Sequence, residues 1–579
     1  MKIPRFIACL TALLCMAAGC RSEDDAAVRA LARRIIPEHE KQFRFERLTD
    51  TTECFELESR GSKIVVRGNS SASIAVGLNH YLKNYCLTTV SWHACNPVEM
   101  PAVLPRIDEK VRVESRARER FFLNYCTFGY TMPWWGWTEW ERFIDWMALQ
   151  GVTMPLAITG QEAVWQRVWT RLGLSDEEVR AYFTGPAHLP WHRMSNIDRW
   201  QGPLPKEWID GQLALQQRIL ARERELGMKP VLPAFAGHVP QELKRLHPDA
   251  RITRVSYWGG FDDRYRCSFL DPMDPLFAVI QREFLTEQTR LFGTGHIYGA
   301  DPFNEIDAPT WDPETLAGMS RHIYESMAEV DPEAVWLQMG WLFYADPTHW
   351  TAENIRAFLG AVPQDRLLML DYFCEFTEIW KQTEKFHGQP YLWCYLGNFG
   401  GNTMLSGNFH TVSARMEDAF AHGGDLRGVG STLEGFGVNQ FMYEFVLDKA
   451  WNTGIADDEW IARLADRRPG FRDPAARTGW RTLCDSVYTL PAQTGQSPLT
   501  NAHPALEGNW HWTTKPTTGY RFPTLWRVWE ELLAVDSERD TYRFDVVNIG
   551  RQVLGDYFLI ERDRFAAAYA QHDRKAMDA

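Results

Sequence analysis

Between Arg120 and Gly430 the chain alternates eight times between a short apolar run and a longer segment of helical character. The runs are Phe121–Tyr125, Val152–Ala157, Pro230–Pro233, His296–Gly299, Ala334–Gln338, Leu367–Asp371, Tyr391–Cys394 and Gly428–Gly430. Intervening stretches such as Thr138–Gln150, Trp208–Leu226, Asp274–Leu291 and Pro313–Val330 read as helices. Short runs that are apolar throughout suit parallel strands buried on both faces. Eight strand–helix alternations of this kind predict a closed parallel (β/α)8 barrel. At roughly 320 residues the segment exceeds the ~250 of a bare barrel. The surplus is assigned to loops, chiefly between Thr159 and Gly202.

The barrel is flanked on both sides, giving a multidomain α/β chain. Residues 1–20 are a leader, 21–112 a small N-terminal α/β domain, 113–445 the barrel and 446–579 an all-α domain. In the N-terminal part, Ala26–Ile36 reads as a helix and Lys63–Gly68 as a strand. Asn69-Ser70-Ser71 can cap a helix from Ala72 to Leu82, and Thr88–Trp92 reads as a further strand. Pro97, Pro101 and Pro105 mark the connection to the barrel. No catalytic constellation lies in this part. After 445 the segments Trp460–Asp466, Thr478–Tyr488, Pro523–Val535 and Tyr542–Tyr569 all carry helical patterns.

Lys2 and Arg5 precede an apolar stretch, Phe6–Ala18, that is too short to span a bilayer. It ends in Ala17-Ala18-Gly19-Cys20, similar to a bacterial lipobox in which Cys20 is lipidated. The acidic Glu23-Asp24-Asp25 that follows resembles an outer-surface sorting signal. The expectation is an exported outer-membrane lipoprotein displayed at the cell surface, with periplasmic retention or secretion as alternatives. Membrane contact would run through that lipid anchor alone.

The net charge of −13 argues against a nucleic-acid partner, which needs a basic footprint. The cysteines beyond the leader are scattered and form no CxxC pair, so a zinc cage is not expected. His188 and His192 have ligand-like spacing, but Pro190 stands between them, and no HExxH occurs. Neither a metal nor another cofactor is expected.

In a barrel the chemistry lies just past the carboxyl ends of the strands. Those positions hold Asn124, Cys126, Tyr130, Gln161, Glu162, His238, Trp258, Asp301, Asn304, Glu305, Trp341, Asp371, Glu375, Asn398 and Glu434. Carboxylates, amides and indoles with few cations and no phosphate loop suit a neutral sugar. Glycosidic hydrolysis needs two carboxyl groups, one protonated and one ionised. Glu305 follows strand four and Glu434 strand eight, on facing sides of a closed barrel, so both can reach one sugar. A single glutamate in a loop is most often a solvated charge. Glu162, Asp301, Asp371 and Glu375 compete for the same roles.

Several long runs resemble the α-N-acetylglucosaminidase family, glycoside hydrolase family 89. They are Asn124–Thr127, Trp140–Leu149, Gly160–Val168, Phe183–Ala187, Val231–Pro240, His296–Glu305, Gln338–Phe343 and Asn398–Asn402. The resemblance covers nearly all of residues 60–450 and weakens beyond. It implies a retaining exo-hydrolase that removes terminal α-linked N-acetylglucosamine from glycans. Glu305 would be the acid/base and Glu434 the nucleophile, roughly 5–5.5 Å apart. Asn124, Cys126, Tyr130, Trp191, Trp258, Asn304, Trp341, Trp393 and Asn398 would line the sugar pocket.

In that scheme Glu434 is ionised to attack the anomeric carbon, while Glu305 holds its proton. The substrate's acetamide cannot replace Glu434, because on an α-glycoside it lies on the wrong face. The sequence departs from the family at Phe436–Glu444, where Pro is expected before the glutamate and another residue at Gln440. The family's helical domain also continues beyond the point where this chain stops, so a shortened domain with uncovered apolar helix faces is expected. The rival readings are a surface glycan-binding lipoprotein without turnover and an exo-hexosaminidase of different anomeric choice.

Overall fold

The computed structural model describes residues 25–93, 98–437, 440–491, 506 and 518–579. The leader with Cys20, and Pro97, lie outside the described residues. The N-terminal domain runs α1 (Ala26–Ile35), β1 (Phe43–Arg47), β2 (Cys54–Arg60), β3 (Lys63–Gly68), α2 (Ser71–Asn84) and β4 (Val111–Glu114). Its sheet has the order β1-β3-β2-β4, with only the β1–β3 pair parallel. Ser70 caps α2: its Oγ accepts from Ser73 N at 3.0 Å, and Ser73 Oγ accepts from Ser70 N at 2.9 Å.

Thr88–Trp92, expected as a strand, is irregular. Several of its polar groups bond to side chains and to Glu99 O instead of a ladder. Thr88 Oγ1 donates to Glu99 O (2.8 Å), and Ser91 Oγ and Trp92 N donate to Gln440 Oε1 (2.8 and 2.9 Å). The Trp92 indole stacks on Phe436 at 4.5 Å between centroids. The unexpected Gln440 is thus the bolt between the first domain and the end of the barrel. Arg120 Nη2 to Glu53 (2.7 Å) and the Arg34–Asp145 pair (2.7 Å) complete that interface. Both partners with the smallest exposure, Arg120 and Asp145, are buried, so each needs its opposite charge in place.

All eight expected strands form one parallel sheet. They are β5 (Glu119–Phe122), β6 (Met154–Pro155), β7 (Leu232–Pro233), β8 (Ile297–Gly299), β9 (Val335–Met339), β10 (Leu367–Asp371), β11 (Tyr391–Tyr395) and β12 (Leu426–Ser431). Each pairs with its sequence neighbours, and β12 pairs with β5. The ring closes at Leu156, which bridges Val231 in parallel, with Ala157 N donating to Val231 O at 2.9 Å. Gly428 makes the β12–β5 approach possible, because a Cβ there would stand 1.8 Å from Glu119 O. The long second loop folds into helices Glu162–Arg171, Asp176–Tyr182 and Leu189–Arg193. The loop after β7 adds an antiparallel patch, His238–Val239, Ile252–Arg254 and Ser268–Leu270, which the periodicity did not suggest.

The last part is helical as expected, with helices Asp457–Arg467, Pro474–Ser486, Phe522–Leu533 and Asp540–Ala570. The helix Asp540–Ala570 leaves Val547, Leu554, Tyr557, Phe565 and Tyr569 exposed. Among the described residues no helix is long and apolar enough to cross a membrane.

Candidate active site

Two strand ends carry backbone strain. Leu123, just past β5, has φ 91° and Phe303, past β8, has φ 63°. A left-handed conformation costs such residues ~1–3 kcal/mol each, and it is retained where surrounding packing fixes it. Here Leu123 and Phe303 are buried. The turns they make present Asn124 on one side and Asn304-Glu305 on the other.

Glu305 is exposed at the barrel mouth and holds three N–H donors. Trp258 Nε1 (2.8 Å) and Asn196 Nδ2 (3.0 Å) donate to Oε2, and Trp341 Nε1 (3.2 Å) donates to Oε1. Two indoles of the expected pocket therefore orient the carboxylate as well as offering a flat apolar face. Asn196 was not among the expected residues. The only sign of it was the surplus length of the second loop, since nothing in local spacing ties it to residue 305. Asn196→Ala removes a hydrogen bond to a charged group, worth ~1.5–3 kcal/mol. A fall in kcat of ~10–100-fold with an unchanged melting temperature is expected if Glu305 acts in the reaction.

Glu434 sits deeper. Its backbone N donates to Asn398 O (3.1 Å), and its Oε2 accepts from the backbone N of Gly400. Gly401 follows at φ 67°, where a Cβ would stand 2.7 Å from the Tyr130 ring. Glycine there lets the loop carry its N–H groups under Tyr130. Burial pushes the Glu434 carboxyl up to about 8; the Gly400 bond opposes this and the negative charge of Glu305 adds to it. Burial thus favours the neutral form of the expected nucleophile in the free site. Glu434 lies deeper in the mouth, with the Gly400 N–H as the donor to its carboxyl.

Burial raises the Cys126 thiol and the Tyr130 hydroxyl, and the negative charge of both glutamates adds to it. Tyr130 packs edge-on against Trp191 at 5.2 Å. Trp341 meets Phe399 edge-on at 5.5 Å. Asn304 and Asn398 are buried, each with a side-chain oxygen that has no protein partner. Asn124 lies beneath the mouth, where its amide bridges Thr432 O (2.8 Å) and Cys126 N (2.9 Å). Trp393 is a correction. It is fully buried, and its Nε1 donates to Glu378 (3.3 Å), a residue of the wall. In a strand apolar on both faces, parity cannot be read from the sequence.

The competing carboxylates are spent elsewhere. Glu162 makes a buried two-point pair with Arg193 (2.8 and 2.9 Å). Asp371 accepts from Ile379 N and Trp380 N, and Glu375 from Leu396 N and Gly397 N. Asp301 accepts from Met339 N (2.7 Å) and from the Tyr125 hydroxyl. Burial raises Asp301, Asp371 and Glu375 to about 7 each. These groups brace the strand ends, which leaves Glu305 and Glu434 as the carboxyl pair that shares the indole-lined mouth.

Residues 120–453 match the family profile described as the alpha-N-acetylglucosaminidase (NAGLU) tim-barrel domain. Residues 26–106 and 460–579 match the N-terminal and C-terminal domains of the same family. Human alpha-N-acetylglucosaminidase is 38% identical over 571 residues, covering 96% of this chain and 76% of the human one. A family 89 glycoside hydrolase from Clostridium perfringens, in complex with 2-acetamido-1,2-dideoxynojirmycin, superposes with a TM-score of 0.86 at 27% identity. That match covers 95% of this chain and 63% of the clostridial one. A form of the clostridial protein with two Glu→Gln substitutions, in complex with its substrate GlcNAc-alpha-1,4-galactose, superposes at 0.87 with the same identity and coverage. Three matching domains in register, a barrel of the same shape and a carboxyl pair at its mouth together place the chain in the alpha-N-acetylglucosaminidase family, glycoside hydrolase family 89.

Proposed function

We propose that this protein is a retaining exo-hydrolase of terminal α-linked N-acetylglucosamine, working by double displacement with Glu305 as acid/base and Glu434 as nucleophile. The observation that carries this reading is the pair itself: two carboxyl groups from facing strand ends lie near enough for the charge of Glu305 to bear on Glu434, Trp258 and Trp341 hold Glu305, and the rival carboxylates are tied down. The sugar's apolar face lies on an indole, and the unpartnered amide oxygens of Asn304 and Asn398 accept from its hydroxyls.

One proton on the pair is enough for the first step. In the free site burial favours the neutral form of Glu434. As the glycosidic bond breaks, positive charge develops at the anomeric carbon beside Glu434 and favours its anion, while the bound sugar shields Glu305 from water. The step needs the proton on Glu305, which gives it to the leaving oxygen while ionised Glu434 bonds to the anomeric carbon and the glycosidic C–O bond breaks. Once the glycosyl–enzyme bond neutralises Glu434, Glu305 can take a proton from the incoming water.

The test is release of nitrophenol from the α and β para-nitrophenyl N-acetylglucosaminides. Turnover of the α substrate alone supports the reading. Turnover of the β substrate would move the chemistry to acetamide participation. A well-folded protein that binds but turns over neither would be a glycan-binding lipoprotein.

The natural substrate we propose is a neutral, mucin-type cap in preference to heparan sulfate, because a chain of net charge −13 does not steer a polyanion. Rates on sulfated oligosaccharides should therefore change little with added salt. A steep fall with salt would reveal a local basic rim and overturn the preference. The place of action we propose is the outer cell surface, through lipid on Cys20. Fatty-acid labelling of the expressed protein should be lost in Cys20→Ala, and labelling that persisted would reject the anchor.

A further inference from the structure

Two loops at the mouth are held from behind by buried side chains. On the Glu305 side, His238 Nε2 and Asp198 Oδ1 share a hydrogen bond of 2.8 Å, which ties the turn after Asn196 to the loop after β7. On the Glu434 side the contacts reach the backbone of the glutamate itself. The loop after β5, opened by the left-handed Leu123, lies against the loop after β12. Asn124 Nδ2 donates to Thr432 O (2.8 Å), Thr127 Oγ1 donates to Leu433 O (2.6 Å), and Thr131 Oγ1 accepts from Phe436 N (3.0 Å). Three side chains of one loop thus grip the chain on both sides of Glu434.

Of the three, Thr127 bonds to the peptide that Glu434 shares with its predecessor. The oxygen of that peptide is Leu433 O. Its nitrogen is Glu434 N, which donates to Asn398 O at 3.1 Å. The peptide is therefore held at its oxygen by the loop after β5 and at its nitrogen by the loop after β11. The direction of the Thr127 hydroxyl is also fixed. Its oxygen accepts from Asn124 N at 3.1 Å, and a carbonyl can only accept, so the hydroxyl proton points at Leu433 O. Thr127 is 0% exposed, so bulk water does not stand in for it. Without the hydroxyl, Leu433 O loses its donor in a buried place, and the peptide gains by turning towards another. Such a turn rotates the Cα–Cβ bond of Glu434 and swings its carboxylate across the mouth.

We infer that Thr127 is a positioning residue, whose hydroxyl sets the peptide preceding Glu434 and so the line along which that carboxylate meets the anomeric carbon. This role rests on Glu434 being the nucleophile proposed above. Displacing a reacting group by about 1 Å can cost ~10²-fold in rate. A bond that only stabilised the fold would alter the melting temperature and leave the kcat of the folded protein unchanged.

The experiment uses the full chain and para-nitrophenyl N-acetyl-α-glucosaminide. Thr127→Val keeps the branched shape and loses the hydroxyl. Its kcat should fall ~10–100-fold with KM within ~3-fold of the parent, and Thr127→Ser should recover kcat to within ~3-fold. The second comparison puts Thr127→Val into Glu434→Ala with added azide. There azide attacks the anomeric carbon from the β face. The C–N bond forms as the C–O bond breaks, nitrophenolate leaves with the electron pair, and the product is the β-glycosyl azide. With no carboxylate left to aim, Thr127→Val should change this azide-dependent rate by less than ~2-fold. Should Thr127→Val not fold, Thr127→Ala, with the smaller side chain, carries the same two comparisons. An equal fall with and without Glu434 would overturn the inference, as would a parental kcat accompanied by a lower melting temperature. Either result leaves the role of Glu434 standing. Failure of that role shows separately, as the β anomer of the sugar released first by the parent, and would remove the inference with it.

Discussion

Glu434→Gln should lower kcat on para-nitrophenyl N-acetyl-α-glucosaminide by on the order of 10⁴-fold or more, the scale of losing a nucleophile. The same substitution should stabilise the fold at pH 8. The folded carboxyl is raised from 4.5 to about 8 by burial. At a pH below 4.5 the group is neutral in both the folded and the unfolded chain and exerts no effect. As pH rises from 4.5 towards 8, the unfolded chain releases this proton while the folded chain retains it. Stability contributed by the neutral, buried form is therefore lost across that window. Glutamine has no proton to lose. The advantage of the variant should be near zero at pH 4 and on the order of 1–2 kcal/mol at pH 8, moderated because the mouth is partly open to water. Urea unfolding at the two pH values reads the difference. A variant less stable than the parent at both, or one that keeps a tenth of the activity, would contradict the role assigned to Glu434.

Glu305→Gln should divide substrates by their leaving groups. A sugar alcohol leaves only with a proton, so on an N-acetylglucosaminyl-α-galactoside kcat should fall by ~10²–10⁴-fold. Nitrophenolate leaves without one, so the first step on the aryl glycoside should survive. The second step then lacks its base, and nitrophenol should appear as a burst followed by slow turnover. Added azide needs no base and should restore the steady rate, yielding a glycosyl azide. Equal losses on both substrates with no azide product would mean that Glu305 only shapes the pocket. Glutamine keeps the shape and loses the proton, and its amide oxygen can still accept from Trp258 and Asn196 while its nitrogen gives up the bond to Trp341.

Much of this fold could be read before any coordinates. The eight apolar runs became the eight strands, because a buried parallel strand has few alternatives to a continuous apolar stretch. The helices beyond residue 445 followed from their 3.6 periodicity. What stayed hidden was long-range and directional. Thr88–Trp92 has strand composition, yet Gln440, far away in sequence, bonds Ser91 Oγ, Trp92 N and Val90 O. Trp393 looks like the other tryptophans, but only the barrel decides whether a strand side chain faces the mouth or the wall. Asn196 and His238 belong to loops whose meeting no local pattern encodes. The proton of Glu434 depends on depth within the mouth, a property of the assembled loops. By contrast Glu305 and Glu434 were legible as candidates from topology, since strands four and eight of a closed barrel must face each other. Removing their rivals required seeing Arg193 on Glu162 and peptide N–H groups on Asp371 and Glu375.

The most direct test of the two-glutamate account is the configuration of the first sugar released. Hydrolysis of the aryl α-glycoside should be followed by proton NMR from the first minutes, before mutarotation scrambles the anomers. The account predicts that α-N-acetylglucosamine appears first, because two inversions at the anomeric carbon restore its configuration. The β anomer appearing first would mean a single displacement by water, and Glu434 would then be a base and not a nucleophile.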